Sequence, residues 1–216
     1  MNRRRSIVAI DGPAGAGKST IARAVAARLG YAYLDSGAMY RCVALGALER
    51  AIPIDDAEAV GDLARGMDIA FASGAHQNVL LEGRDVTEAI RTPEVSAAAS
   101  RVSVHSGVRR AMVARQRRLG EAGGVVMEGR DIGSVVFPRA EVKVYLTASD
   151  AERARRRAEQ RRRAGLDFVN VEGVLAEIRE RDERDRTRAD SPLLIAEGAR
   201  ELITDWMSPD AVVDCI

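Results

Sequence analysis

Asp11-Gly12-Pro13-Ala14-Gly15-Ala16-Gly17-Lys18-Ser19 decides how this chain is read. From Gly12 onward it fits G-x-x-x-x-G-K-[ST], a loop of small residues whose successive N–H groups can point inward at phosphate oxygens, an approach that larger side chains would block. Upstream, Ile7-Val8-Ala9-Ile10 reads as a short buried strand; downstream, Thr20-Ile21-Ala22-Arg23-Ala24-Val25-Ala26-Ala27-Arg28-Leu29 reads as a helix closed by Gly30. The motif therefore stands between strand and helix, where a helix N-terminus adds partial positive charge and unpaired donors. A triphosphate site is expected around Gly12, Pro13, Ala14, Gly15, Ala16, Gly17, Lys18, Ser19 and Thr20. Lys18 would reach the outer phosphates, and the Ser19 hydroxyl would be a ligand for magnesium (Mg2+), with waters and phosphates completing the shell. A Gly/Ala-rich turn with a surface lysine is the plainer alternative, and the strand-to-helix context argues against it.

Composition sets the frame. A chain of 216 residues with 46% hydrophobic but only 4% aromatic residues can bury one sizeable core of Ala, Val, Leu and Ile. The net charge is +1 although 30% of residues are charged, so anions must be attracted by local clusters rather than by a global field. Cys42 and Cys215 make no disulfide framework, which fits a reducing compartment. His76 and His105 stand far apart, show no metal-ligand spacing and are assigned no role. The basic start at Met1-Asn2-Arg3-Arg4-Arg5 leads into an apolar run that ends at Asp11, too soon for a secretory signal, and no stretch approaches membrane-spanning length. A cytoplasmic protein is expected.

Strand and helix signals alternate, which predicts an α/β fold with a parallel sheet covered by helices on both faces. Tyr31-Ala32-Tyr33-Leu34 reads as a second strand; Asp35-Ser36-Gly37 ends it and opens a helix through Met39, Tyr40, Val43, Leu45 and Leu48. Val125-Val126-Met127 and Val142-Lys143-Val144-Tyr145-Leu146 read as further core strands, and Ser149 with Glu152 makes a capping box for an Arg-rich helix. The rhythm breaks between Ile54 and Pro93. There Asp68-Ile69-Ala70-Phe71 and Val79-Leu80-Leu81, separated by Ser73-Gly74-Ala75-His76-Gln77-Asn78, predict an inserted β-hairpin and a small subdomain. Glu201-Leu202-Ile203 reads as a last strand, with Ser208-Pro209 opening a short helix.

A phosphate loop alone does not separate kinases from GTPases, motors or translocases. An Asn-Lys-x-Asp guanine-reading segment is absent, and Val125-Val126-Met127-Glu128 ends in one carboxylate rather than the acidic pair of a motor. Arginines in separate places point instead to phosphoryl transfer, which needs cations around oxygens that gather negative charge. Arg41 lies about one and a half helical turns beyond Ser36 and can return to a phosphate at the helix start. Arg130-Asp131 follows a core strand, at the carboxyl end where ligands of open α/β sheets collect. At the helical period Arg181, Asp185 and Arg188 share one face, cation, anion, cation. Singly, each set also fits a solvated charge run or a structural ion pair; together with the phosphate loop they predict an anionic second substrate. The stretch Arg153, Arg155, Arg156, Arg157, Arg161, Arg162, Arg163 invites a nucleic-acid reading, but interleaved acids and the lack of aromatics fit a mobile lid better, with Arg153 and Arg157 on one face toward the donor phosphates.

Taken together, Asp11 to Ser19, Leu34-Asp35-Ser36-Gly37-Ala38-Met39-Tyr40-Arg41, Leu81-Glu82-Gly83-Arg84-Asp85-Val86 with Ile90-Arg91-Thr92, Gly129-Arg130-Asp131-Ile132-Gly133-Ser134-Val135-Val136-Phe137-Pro138 and Arg181-Asp182-Glu183-Arg184-Asp185-Arg186 resemble the bacterial cytidylate kinases, a branch of the nucleoside monophosphate kinases. The resemblance runs nearly end to end. It implies a P-loop kinase core at about 1–35, 105–150 and 170–216, an acceptor-binding subdomain with the inserted hairpin at about 36–104, and a short helical lid at about 151–169. It also implies phosphorylation of CMP and dCMP by ATP with magnesium, by a cytoplasmic monomer that binds neither nucleic acid nor membrane. Carried over by position, Ser100, Arg109 and Asp131 would read cytosine, and Ser36 and Tyr40 would line the acceptor pocket. Arg41, Arg130, Arg181 and Arg188 would surround the acceptor phosphate and the transferring group, with Lys18, Arg130, Arg181 and Arg188 acting in catalysis, and Asp185 would hold the sugar hydroxyls. Asp131 suits the exocyclic amine of cytosine and Arg109 its carbonyl and ring nitrogen, whereas uracil would set a carbonyl against the carboxylate. A related kinase of UMP, dTMP or shikimate, and a non-enzymatic nucleotide- or nucleic-acid-binding switch, are the alternatives.

Overall fold

The computed structural model describes residues 5–72, 78–163, 165 and 169–216; the basic residues 1–4, the expected hairpin turn at 73–77 with His76, and positions 164 and 166–168 of the expected lid lie outside the described residues. In chain order the elements are β1 (Ile7–Asp11), α1 (Lys18–Leu29), β2 (Ala32–Asp35), α2 (Ser36–Glu49), α3 (Ala57–Gly66), β3 (Ile69–Phe71), β4 (Val79–Leu81) and β5 (Arg84–Asp85). They continue with α4 (Pro93–Val102), α5 (Ser106–Leu119), β6 (Val125–Gly129), β7 (Val142–Thr147), α6 (Asp150–Arg163), α7 (Val171–Thr187), β8 (Arg200–Ile203) and α8 (Pro209–Asp214). Met1–Tyr33 with Ala122–Ile216 form one compact unit, and Leu34–Glu121 form the other.

The first unit is built on a five-stranded sheet in the order β2-β6-β1-β7-β8, flanked by helices. The middle strands β1 and β6 are buried at every position, as near-continuous apolar runs of a covered parallel sheet should be. β1 pairs in parallel with β6 and β7, and β7 with β8. Asp11 lies opposite Gly129 in that register, so the phosphate loop and Arg130 leave adjacent parallel strands at the same carboxyl end of the sheet. Val8, Ile10, Val126, Val144 and Leu202 pack with Ile21, Ala22, Val25 and Ala26 of α1 and with Val212 of α8. Aliphatic and alanine side chains supply this core, as the scarcity of aromatics required. Ser208 caps α8 through Ala211 N–H (3.2 Å). At the start of α6 Ser149 accepts from Glu152 N–H (3.3 Å), half of the expected capping box; the other half is not formed, because Ser149 N–H donates to Asp205 and the Glu152 carboxylate is taken by Arg155 and Arg156.

In the second unit α2 begins where the Asp35 side chain accepts the Ala38 N–H at 3.0 Å. Its helices and small sheet share a separate core around Met39, Val43, Val60, Met67, Leu81, Ile90, Val102 and Met112. The expected hairpin is present as antiparallel β3 and β4, and it gains a third strand, β5. Glu82 and Gly83, both at positive φ (51° and 79°), form the two-residue turn that closes this extra hairpin. α5 also belongs to this unit, although the sequence suggested that the core resumes at 105: its buried face of Val108, Arg109, Met112 and Gln116 packs with α3.

Candidate active site

The phosphate loop takes the form its glycines allow. Gly12 sits at φ 148°, and a Cβ there would lie 2.0 Å from the Leu146 carbonyl oxygen, so no other residue lets the loop leave β1 this close to β7. Gly17 stands at the N-cap of α1 with no side-chain hydrogen bond to the helix start, and Ser19 is exposed in the first turn. Lys18 is 6% exposed and its ammonium donates to the Pro13 carbonyl at 2.7 Å. Burial, reinforced by Arg130 and Arg181 and only partly opposed by Glu128 and Asp182, lowers its pKa to about 7.

One carboxylate ties the loop to the neighbouring strand end. Asp11, buried at the end of β1, accepts the N–H of Ile132 at 2.8 Å and of Gly133 at 2.7 Å, which fixes the turn that follows Arg130-Asp131. Burial outweighs these two bonds and raises its carboxyl to about 6. Residues Ile132–Val136 then form a short π-helical turn.

Beside that turn the first unit gathers four of the expected residues. Arg130 Nε donates to Asp185 Oδ2 at 2.9 Å, Arg188 Nη1 donates to Asp185 Oδ1 at 3.3 Å, and Arg188 Nη2 stands 3.7 Å from Asp131 Oδ1. Charges alternate through Arg130, Asp185, Arg188 and Asp131. Burial alone would raise the Asp185 pKa, but Arg130, Arg181 and Arg188 together hold it below the usual carboxylate value. Arg181 therefore acts on both Asp185 and Lys18 through its charge. Arg188 is the C-cap of α7 and is further fixed by its Nε donating to Ser191 O at 2.7 Å. Glu128, buried at the end of β6, accepts the Tyr33 hydroxyl at 2.5 Å.

The Arg-rich helix differs from expectation. Arg153 was expected on the donor phosphates, yet its guanidinium is engaged on every nitrogen by protein: Nε donates to Ala148 O (3.2 Å), Nη1 to Ala14 O (2.8 Å) and Asp182 Oδ2 (2.5 Å), and Nη2 to Asp150 Oδ1 (2.5 Å). Ala14 N–H, expected to face phosphate, is donated to Asp182 Oδ1 at 3.0 Å. Arg157, the other expected donor contact, gives Nη1 to Gln160 Oε1 at 2.7 Å. Arg156 instead reaches the loop: Nη1 donates to Ala16 O (3.4 Å) and Thr204 Oγ1 (3.0 Å), Nη2 to Thr204 O (2.6 Å), and Nε to Glu152 Oε1 (2.8 Å). Sequence reasoning missed Arg156 and Asp182; the Glu152 four residues before Arg156 was the one available signal. Acids within the unit also take up Arg155, Arg161 and Arg163, through Glu152, Glu177 and Glu159.

The second unit holds the other expected residues in two groups. At the start of α2 the Ser36 side chain is buried, and Arg41 does return to the helix start, where it donates to Asp35 Oδ2 at 2.6 Å. Burial would raise the Asp35 pKa, but the Arg41 charge and the helix-capping bond from Ala38 bring it down. On α2 and α5, the Arg109 guanidinium lies over the Tyr40 ring, 5.4 Å from its centroid, and donates to Ser103 O at 3.3 Å. Ser100 is buried and its hydroxyl has no hydrogen-bond partner among the described residues, which leaves it available to a ligand. His105, assigned no role, is bonded through Nε2 to Ile54 O at 2.8 Å.

For magnesium the donor set is sparse but suitable. Among the described residues no group of three or more His, Cys, Asp or Glu side chains could hold a metal, so an ion here would depend on phosphate and water oxygens with Ser19 as the protein's hydroxyl. Among the same residues no helix is long and apolar enough to cross a membrane.

The chain is 50% identical over 215 residues to a cytidylate kinase of Solibacter usitatus (strain Ellin6076), covering 99% of this chain and 91% of that protein. It is 50% identical over 215 residues to a bifunctional pantoate ligase/cytidylate kinase of Parasynechococcus marenigrum (strain WH8102), again over 99% of this chain but spanning only 43% of that longer protein. Among solved structures, an uncharacterized protein from Eubacterium ventriosum ATCC 27560 superposes with a TM-score of 0.52 at 11% identity, over 98% of this chain and 95% of that one, a likeness of fold. The cytidylate kinase family model matches residues 8–216, and the chain belongs to that family.

Proposed function

We propose that this chain transfers the γ-phosphoryl group of ATP to CMP or dCMP, giving ADP and the cytidine diphosphates. The observation that carries this reading is the pairing of Asp11 with Gly129: the phosphate loop and Arg130-Asp131 follow the ends of adjacent strands, and Asp185 and Arg188 of α7 complete an alternating Arg130, Asp185, Arg188, Asp131 cluster. Donor phosphates would lie in the loop against Lys18 and the first turn of α1. Their negative charge would relieve the cost of keeping the Lys18 ammonium buried. Magnesium, held through Ser19, water and phosphate, would neutralise charge on the transferring group.

The acceptor phosphate of CMP is already ionised near neutral pH, so the transfer needs no strong general base. Positioning and electrostatic stabilisation supply the acceleration. Arg41, Arg130, Arg181 and Arg188 would hold the acceptor phosphate and the charge that develops during in-line transfer. Asp185, kept ionised by its arginines, is suited to accept from sugar hydroxyls. Ser36 and Tyr40 would line the acceptor site. The available Ser100 hydroxyl, the Arg109 guanidinium and the Asp131 carboxylate would read the base. Arg156, braced across Ala16 and Thr204, takes the donor-side place first given to Arg153 and Arg157. The same reading makes the chain a monomer acting in the cytoplasm.

A coupled assay of ADP release tests this, with magnesium-ATP and, separately, CMP, dCMP, UMP, AMP or no acceptor. Turnover confined to the cytosine nucleotides is expected. Preferred turnover of UMP or AMP, or hydrolysis that ignores the acceptor, would overturn the assignment.

A further inference from the structure

Ala14 is the residue at which the phosphate loop turns from its strand toward the cradle, and both of its backbone polar groups are taken by side chains from helices far along the chain. Asp182 of α7 accepts its N–H at 3.0 Å, and Arg153 of α6 donates to its carbonyl at 2.8 Å. These two side chains are themselves paired at 2.5 Å and are only 2% and 3% exposed. The Ala14 methyl sits among Ala154, Val174 and Ile178 of the same helices. At the next residue, a Cβ on Gly15 would come within 2.9 Å of the Arg153 carbonyl oxygen, so the backbone of α6 itself abuts the loop.

A buried ion pair is a poor device for stability alone, because the desolvation of both charges offsets much of their attraction. What this pair does distinctively is fix the donor and the acceptor of one loop residue at the same time. The residues that follow, Gly15 and Gly17, stand at positive φ (76° and 88°), where the chain has little intrinsic preference to hold a single conformation. Arg153 is neutralised by Asp182 and Asp150, so its charge is spent before it reaches a ligand. We propose that Arg153 and Asp182 are positioning residues for phosphoryl transfer: together they set the phosphate loop at Ala14 and anchor the α6–α7 pair to it, without touching either nucleotide. This rests on the phosphate loop being the donor site.

The test compares Arg153→Lys, which keeps the charge but cannot reach Ala14 O and Asp182 together, with Asp182→Asn, which keeps an oxygen for Ala14 N–H, and Asp182→Ala, which keeps neither. Steady-state kinetics would vary ATP at saturating CMP and CMP at saturating ATP. Calorimetric titration with magnesium-ATP in the absence of CMP would give a second reading that does not depend on the acceptor. Arg153→Lys and Asp182→Ala should lower kcat/KM for ATP by about ten- to a hundredfold, the loss that displaced catalytic geometry produces. KM for CMP should move by less than about twofold, and Asp182→Asn should recover part of the loss. Folding is followed by circular dichroism; if Arg153→Lys or Asp182→Ala does not fold, the Asp182→Asn titration decides alone. Unchanged magnesium-ATP affinity and kcat in a folded variant would overturn the proposal, and so would a rise in KM for CMP as large as that for ATP, the mark of a merely structural pair. Absence of CMP phosphorylation by the unmodified chain would instead overturn the kinase reading, while the ATP titration would still judge the positioning role.

Discussion

Binding of ATP should draw a proton onto Lys18. The lysine is buried at the foot of the phosphate loop, and burial together with Arg130 and Arg181 lowers its pKa from 10.5 to about 7. At pH 8 a group with that pKa is about nine-tenths neutral, and a triphosphate beside it restores the charged form, so binding should take up about 0.9 proton per site. At pH 6 the same group is already about nine-tenths charged and uptake should fall to about 0.1. Asp11, the other strongly shifted group at the site, titrates near 6 and is ionised at pH 8, so it does not contribute there. Calorimetric titration of magnesium-ATP at pH 8 in two buffers of different ionisation enthalpy reads the proton directly, and Lys18→Met should abolish the buffer dependence. Stability follows with a defined sign. The folded-state pKa lies below the unfolded value, so the unfolded chain binds more protons between about 7 and 10.5; the penalty of the buried lysine is full below about 7 and is relieved as pH rises through that window. Equal binding enthalpies in the two buffers at pH 8 would refute the argument, as would uptake that survives in Lys18→Met.

Asp11→Ala would leave the buried N–H groups of Ile132 and Gly133 without their acceptor, and at about 1–3 kcal/mol for each orphaned donor the chain should lose about 2–6 kcal/mol in urea unfolding. A loss under about 0.5 kcal/mol, the range of ordinary surface substitutions, would show that this tether is dispensable. Asp131→Ala should erode the preference for CMP over UMP, read as the ratio of kcat/KM values, by about tenfold or more; wild-type selectivity would remove Asp131 from base reading. Burial raises the Cys42 thiol to about 12, so iodoacetamide at pH 8 should modify the half-exposed Cys215 and spare Cys42 until the protein unfolds, and mass spectrometry of the digested protein would show the reverse order if the burial argument is wrong.

Much of the first unit was legible because its constraints are local. The phosphate loop, the strand before it and the helix after it are fixed by neighbours in sequence: small residues where the backbone must approach phosphate, an apolar run, then helical periodicity. Helix starts behave the same way: the helices expected after Asp35 and Ser208 begin there, and Ser149 accepts the Glu152 N–H that their spacing implied. The pairing of Asp185 with Arg188 follows from the helical period along α7. β5 was not legible because it has two residues and its turn, Glu82-Gly83, is not one of the strongest turn pairs. The placement of α5 was missed for a different reason. Arg109 was assigned to the base while α5 as a whole was left with the core, and the highly polar sequence of α5 hides the buried face of Val108, Met112 and Gln116.

The arginines show most clearly where sequence reasoning stops. Arg153, Arg156 and Arg157 lie within little more than one turn of α6, and beyond the Glu152 four residues before Arg156 nothing local distinguishes them; a spacing of four picked out Arg153 and Arg157. Two of the fates are decided by partners far away, Asp182 and Ala14 for Arg153 and Thr204 and Ala16 for Arg156, while Arg157 donates to the nearby Gln160. The same holds in α7, where Asp182 and Asp185 alternate with arginines in one charged run, yet Asp182 faces the phosphate loop while Asp185 faces Arg130 and Arg188. Helical periodicity says which residues share a face; what lies opposite that face depends on how α6 and α7 pack beneath the loop, and the contact that fixes it joins residues 168 positions apart. A charge in such a run therefore acquires a function from the backbone group it meets, and for Asp182 that group is the Ala14 amide rather than a nucleotide.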